Sequence, residues 1–164
     1  MSNPKIGICL GSKSDLPQLE KAQALLTELG VPYEVRIMSA HRTPATAAEY
    51  ARTARDRGIK VLIGMAGVAA HLAGALAAHS DLPVLGIPAA GGPLQGFDAL
   101  LSTVQMPPGV PVATFAVGKM GATNAALFAC QIIAQTEPDV QKAIVDYRAA
   151  MRKKVEAADR ELNG

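Results

Sequence analysis

Apolar residues in this chain fall into short continuous runs, separated by longer stretches in which they recur every three or four positions. The runs are KIGICLG, YEVRIM, KVLIGMA, PVLGIP and PVATFAV. Each ends in small or polar residues, the pattern of strands buried on both faces. After the first run, Leu16, Leu19, Ala22, Leu26 and Leu29 keep helical spacing, with Pro17 in the first turn and Gly30 just past the end. After the second, Thr43 is the expected N-cap and Pro44 the first helical residue. Ala47, Ala48, Ala51 and Ala54 point inward, Arg52, Arg55 and Arg57 outward, and the helix stops at Gly58. Further helices are predicted over AAHLAGALAAH, around residues 94 to 104 and near 121 to 135. Strands alternating with helices predict an α/β fold, a three-layer α/β/α sandwich with a parallel, flavodoxin-like sheet.

Beyond Pro138 an extra helix sets Val140, Ile144, Tyr147, Met151 and Val155 along one face and charge on the other. The helices at 69 to 79 and 121 to 135 are apolar nearly all round, more than a two-sided sandwich of this size buries. Both features predict a homo-oligomer. The chain reads as one domain over residues 1–164, with a core at about 4–135 and a C-terminal oligomerisation helix at about 138–161.

Composition narrows the function. With 49% hydrophobic residues, 18% charged and a net charge of +2, the chain is globular and has no polybasic block that would track nucleic acid. Cys9 and Cys130 stand far apart inside apolar runs, as buried free thiols in a reducing cytoplasm do. The start, MSNPKIGICLGSKSD, is too short in apolar residues for a signal peptide. VLIGMAGVAAHLAGALAAH, residues 61 to 79, is long and uncharged enough for a membrane span. Its three glycines, central His71 and excess of alanine over leucine fit a strand, turn and helix instead, so no membrane association is expected.

In an open parallel sheet the ligand sits beyond the carboxyl ends of the strands, so the chemistry belongs to the loops there. GSKSD after the first strand brings Ser12 and Ser14 to a helix start whose free N–H groups suit an anion, though a plain helix cap has the same composition. It is neither GxxxxGK[ST] nor GxGxxG, so one phosphate monoester is implied rather than a nucleoside triphosphate or dinucleotide. SAHRTP after the second strand adds Ser39, Ala40, His41 and Arg42: a bidentate phosphate grip beside an imidazole suited to proton transfer. The third loop, AGVAAH, is small-residue backbone leading to His71, which is either a hydrogen-bonded core histidine or a site residue. His79 is expected at the surface. Asp15 is the only acid in these loops; near a phosphate it would serve a sugar hydroxyl, or else it caps the helix. PAAGGPLQG and QMPPGVP, nearly uncharged, are expected to be walls or a lid. The three histidines and two cysteines lack metal-ligand spacing, and no cofactor is indicated. The residues alone point to a small phosphorylated sugar or ribotide and a histidine that moves protons.

GSKSD, SAHRTP, AGVAAHLAG and LLSTVQMPPGVPVATFAVGKMGATNAAL, in that order and spacing, resemble the 5-(carboxyamino)imidazole ribonucleotide mutases of purine biosynthesis. The resemblance covers essentially the whole chain. It implies a cofactor-free isomerase that moves a carboxyl group from the exocyclic nitrogen to ring carbon 4, by loss and recapture of carbon dioxide, with His41 as general acid and base. It further implies Ser12, Ser14, Ser39 and Arg42 at the phosphate, Asp15 at the ribose, and Ala66, Gly67, His71 and Leu72 around the base and carboxyl group. Octamers with sites at subunit boundaries, in the cytoplasm, are implied too. A second branch of the family, which carboxylates aminoimidazole ribonucleotide directly, has lysine in place of Arg42 and lacks the AAH segment. A non-catalytic ribotide-binding module is the reading from a different class. Val68 in place of a common glycine, Ala73 in place of a common proline, and PAAGGPLQG depart from the family pattern.

Overall fold

The structure, a computed structural model, describes residues 3–164; Met1 and Ser2 lie outside the described residues. Its elements run β1 (Ile6–Leu10), a 3-10 turn (Lys13–Asp15), α1 (Leu16–Glu28), β2 (Tyr33–Ile37), α2 (Pro44–Thr53), β3 (Val61–Ala66) and α3 (Leu72–Ala78). They continue with β4 (Val84–Pro88), α4 (Phe97–Val104), β5 (Ala113–Thr114), α5 (Lys119–Ile133) and α6 (Pro138–Asn163). The five strands form one parallel sheet in the order β2-β1-β3-β4-β5. Chain direction across the sheet reverses between β1 and β3, which makes their carboxyl ends the place where a ligand crevice opens.

Side-chain alternation along the central strands builds a core on each face. Ile6, Ile8 and Leu10 of β1 and Val61, Ile63 and Met65 of β3 pack under α1 and α5. Cys9, Leu62 and Val84 pack on the other face under α2 and α3. Each fully buried leucine or isoleucine contributes about 1.5–3 kcal/mol of transfer free energy, so these two layers carry the fold. Gly64 lets α3 approach the sheet: a Cβ there would lie 2.8 Å from the Ala73 Cα. Among the described residues no helix is long and apolar enough to cross a membrane, and the uncharged stretch 61–79 is divided between β3, a turn and α3.

Four local expectations need correction. PVATFAV yields a strand of only two residues, because Pro111 has no N–H to donate and β5 is the sheet edge; Phe115 still donates to the Gly86 carbonyl at 2.9 Å. Helix α3 begins at Leu72 rather than Ala69, since Val68 takes a left-handed φ of 56° and turns the chain. Thr43 stands at the N-cap position of α2 without a side-chain capping bond; its hydroxyl instead accepts the Ser39 backbone N–H at 2.9 Å. Arg57 does not point outward with Arg52 and Arg55: it pairs with Glu34 at 2.5 Å and lies 4.5 Å over the Tyr50 ring, half-buried.

Candidate active site

Three loops converge beyond the carboxyl ends of β1, β2 and β3 and enclose a cavity of about 430 Å³. Ser12, Ser14 and Asp15 line it from the first loop, Ser39, Ala40, His41 and Arg42 from the second, and Ala66, Gly67, His71 and Leu72 from β3 and the start of α3. Every residue singled out for the site is thus brought together. Gly11, Val68 and Ala69 also line the cavity.

Local hydrogen bonds shape the two polar loops. Ser12 Oγ accepts from the Ser14 N–H at 3.3 Å and from the Ser14 hydroxyl at 2.8 Å. Ser39 Oγ accepts the backbone N–H groups of His41 and Arg42 at 3.3 and 3.2 Å. Both hydroxyl oxygens are acceptors in these turns, which leaves their own protons to donate to an anion. Arg42 reaches across and donates to the Gly11 carbonyl at 3.2 Å, joining the second loop to the first. The cluster combines a fixed cation, free hydroxyl protons and a helix start, the donor set that a phosphate monoester takes.

His41 and His71 face one another. His41 Nε2 is 2.8 Å from His71 Nδ1, with ring centroids 5.0 Å apart and planes at 83°. At that distance one nitrogen carries the hydrogen and the other accepts it, so the tautomer of one ring fixes that of its neighbour. His71 is exposed at the cavity wall, which removes the core-histidine alternative. His79 lies exposed at the end of α3, as expected.

Asp15 is only 9% exposed, and at the N-cap position of α1 its side chain makes no capping bond. It therefore caps no N–H of α1 and lines the cavity instead. Burial pushes its pKa up, partly offset by a backbone hydrogen bond from Ser12. Cys9 and Cys130 are buried free thiols, each pushed up to about 12 by burial, so neither supplies a thiolate near neutral pH. Among the described residues no group of three or more His, Cys, Asp or Glu side chains is placed to hold a metal ion.

Neither PAAGGPLQG nor QMPPGVP lines the cavity. The first stands beside it, because the Gln18 amide clamps Ala90: Gln18 Nε2 donates to the Ala90 carbonyl at 3.1 Å, and the Ala90 N–H donates to Gln18 Oε1 at 2.9 Å. The second lies under α3, with Met106 sulfur 3.3 Å from where a Cβ on Gly74 would sit. Sequence reasoning missed Gln18, and nothing in SDLPQL signals a partner 72 residues away.

Comparison with known proteins follows the same geometry. The family model described as AIR carboxylase matches residues 5–154. An N5-carboxyaminoimidazole ribonucleotide mutase of Pyrococcus abyssi is 51% identical over 150 residues, 92% of this chain and 85% of that protein. The protein of the same description from Bacillus subtilis is 52% identical over 145 residues, 88% of this chain and 90% of its own. The crystal structure of Treponema denticola PurE superposes with a TM-score of 0.87 at 26% identity, covering 98% of this chain and 99% of that one.

Proposed function

The chain belongs to the AIR carboxylase family, and from that premise we propose that it is an isomerase of purine biosynthesis converting 5-(carboxyamino)imidazole ribonucleotide to 4-carboxy-5-aminoimidazole ribonucleotide. The observation that carries this reading is the pairing of His41 with His71 in the same cavity as Ser12, Ser39 and Arg42. Relatives near half identity over most of the chain bear the same description.

The bookkeeping of the reaction explains why an imidazole suits it. The carboxyl carbon leaves the exocyclic nitrogen as carbon dioxide; the C–N bonding pair returns to nitrogen, which takes a proton. Ring carbon 4 then attacks carbon dioxide, and the proton on carbon 4 departs. One proton is delivered and one removed, so a single group alternating as acid and base ends as it began. Imidazole is the side chain that does both near neutral pH. His41 fills this role, and His71, hydrogen-bonded to it, orients its ring. Ser12, Ser14, Ser39 and Arg42 hold the phosphate and Asp15 the ribose hydroxyls. Ala40, Ala66, Gly67 and Leu72 provide the small apolar walls against which the base lies.

The protein acts in the cytoplasm as a single domain that assembles into octamers. The support is an unpartnered apolar face: on α6 Val145, Met151 and Val155 are 59%, 50% and 71% exposed, and every residue from 151 onward is exposed. Phe97, Leu101 and Val104 of α4 extend the exposed apolar surface.

His41→Asn tests the assignment. It is expected to lower kcat by about 10²–10⁴-fold while ribotide binding, measured by calorimetry, stays within a few-fold of wild type. Wild-type and variant proteins that bind equally and are both inactive would instead mark a binding module.

A further inference from the structure

Among the described residues, the two non-glycine residues with positive φ both stand beside this cavity: Val68 at 56° in the β3–α3 loop and Gln95 at 53° in the β4–α4 loop. For a β-branched residue that conformation is an outlier, because Cβ crowds the following carbonyl oxygen. It persists only where the surroundings over-determine it. Here a hydroxyl from α4 does so. Ser102 Oγ accepts the Ala70 N–H at 3.0 Å and lies 3.4 Å from the Val68 carbonyl, while donating to the Asp98 carbonyl at 2.8 Å.

A turn alone would be served without strain by glycine. What valine adds is an isopropyl group on the wall. Val68 lines the cavity, remains 56% exposed, and its Cγ2 lies 3.5 Å from where a Cβ on Gly92 would sit. The segment carrying Gly92 is brought to this point by the Gln18 clamp on Ala90 and by the Ala89 N–H, which donates to the Ala66 carbonyl at 2.8 Å.

We propose that in this chain Val68 is a positioning residue for carboxyl transfer, held in a strained backbone conformation so that its isopropyl group, where the family commonly has glycine, fills the space beside Gly92 of the equally divergent 89–96 loop and helps keep released carbon dioxide beside ring carbon 4. The inference rests on the isomerase reading above. Carbon dioxide is small, uncharged and apolar, and it is lost by diffusing out or by hydration; an apolar wall opposes both. A molecule that escapes leaves aminoimidazole ribonucleotide behind, carrying on nitrogen the proton that His41 delivered.

The partition between the two products reads this directly. Wild type, Val68→Gly and Val68→Ala are given the carboxyamino ribotide, and 4-carboxy product and released aminoimidazole ribonucleotide are quantified together, with uncatalysed decarboxylation subtracted. Both variants are expected to raise the released fraction about threefold or more. Val68→Gly, relieved of strain, should unfold at or above the wild-type temperature, whereas Val68→Ala should not exceed it. An unchanged partition in both variants overturns the proposal. So does a leak in the glycine variant alone, which would trace to backbone freedom rather than to the lost isopropyl group. A wild type that forms no 4-carboxy product would sink the isomerase reading itself; a competent wild type with leak-free variants sinks only the role of Val68.

Discussion

Asp15, assigned in the proposed reaction to the ribose hydroxyls, is kept at a cost to the fold. Its carboxyl is buried without a capping bond, and burial raises its pKa. The native state therefore holds the proton more tightly than the unfolded chain does. Stability falls as pH rises from the ordinary carboxylate range through the raised native value, and the cost is fully present above that value. Asp15→Asn is expected to raise the melting temperature by a few degrees at pH 7 while weakening ribotide binding by about tenfold. Calorimetric melting and titration on the same sample check both; a variant that is less stable and binds normally would contradict the assignment. The strand pattern placed the loops that carry Ser12, Ser14, Asp15, Ser39, His41, Arg42 and His71, because the carboxyl-end rule converts element order into a location, whereas Ala66, Gly67 and Leu72 were legible only through the family resemblance. The His41–His71 contact was not legible, since a 2.8 Å approach depends on the turn made by Val68, whose positive φ no valine announces.

At the scale of elements, β2 and α2 are tied by a small polar network. Tyr50 donates to Glu34 at 2.8 Å, and Arg57 pairs with the same oxygen at 2.5 Å. Burial alone would raise the Glu34 pKa; the Arg57 and Tyr50 hydrogen bonds and the Arg57 charge reverse this and hold it below the ordinary range. The stability it confers is present above the ordinary glutamate pKa and lost as pH falls through the lowered native value. Denaturant unfolding at several pH values should show Glu34→Gln about 1–3 kcal/mol less stable at neutral pH and flatter on the acid side; an acid limb as steep as wild type would count against the network. Helix α2 was readable from its alanine stripe, but Arg57 was not, because the turn beyond Thr53 rotates it off the exposed face. Overreading of β5 has a similar origin: apolar content marks burial, whereas ladder length depends on donors that Pro111 lacks.

For the whole molecule, the surplus of apolar surface expected on the helices at 69–79 and 121–135 and on the C-terminal helix is met only in part: α3 buries Leu72, Ala73 and Leu76, whereas α5 exposes Met120 and Phe128, α6 exposes Val145, Met151 and Val155, and α4 adds Phe97, Leu101 and Val104. Val140 and Ile144, with Ala143 and Tyr147 packed beside them, anchor the first half of α6 on the core, and from Met151 onward every residue is exposed. A helix of that kind is stable in water chiefly when something packs on it. Light scattering is expected to give a mass near eight times the 17.0 kDa of the chain, and a monomeric mass would remove the argument from exposed apolar faces. Which carboxyl chemistry the cavity performs is decided by a substrate pair. The purified protein is offered 5-(carboxyamino)imidazole ribonucleotide in one reaction and aminoimidazole ribonucleotide with bicarbonate in another, and 4-carboxy-5-aminoimidazole ribonucleotide is measured in both. Rapid formation from the carboxyamino compound, with little from the other pair at matched concentration, is the predicted result; turnover of aminoimidazole ribonucleotide with bicarbonate and none of the carboxyamino compound would contradict it.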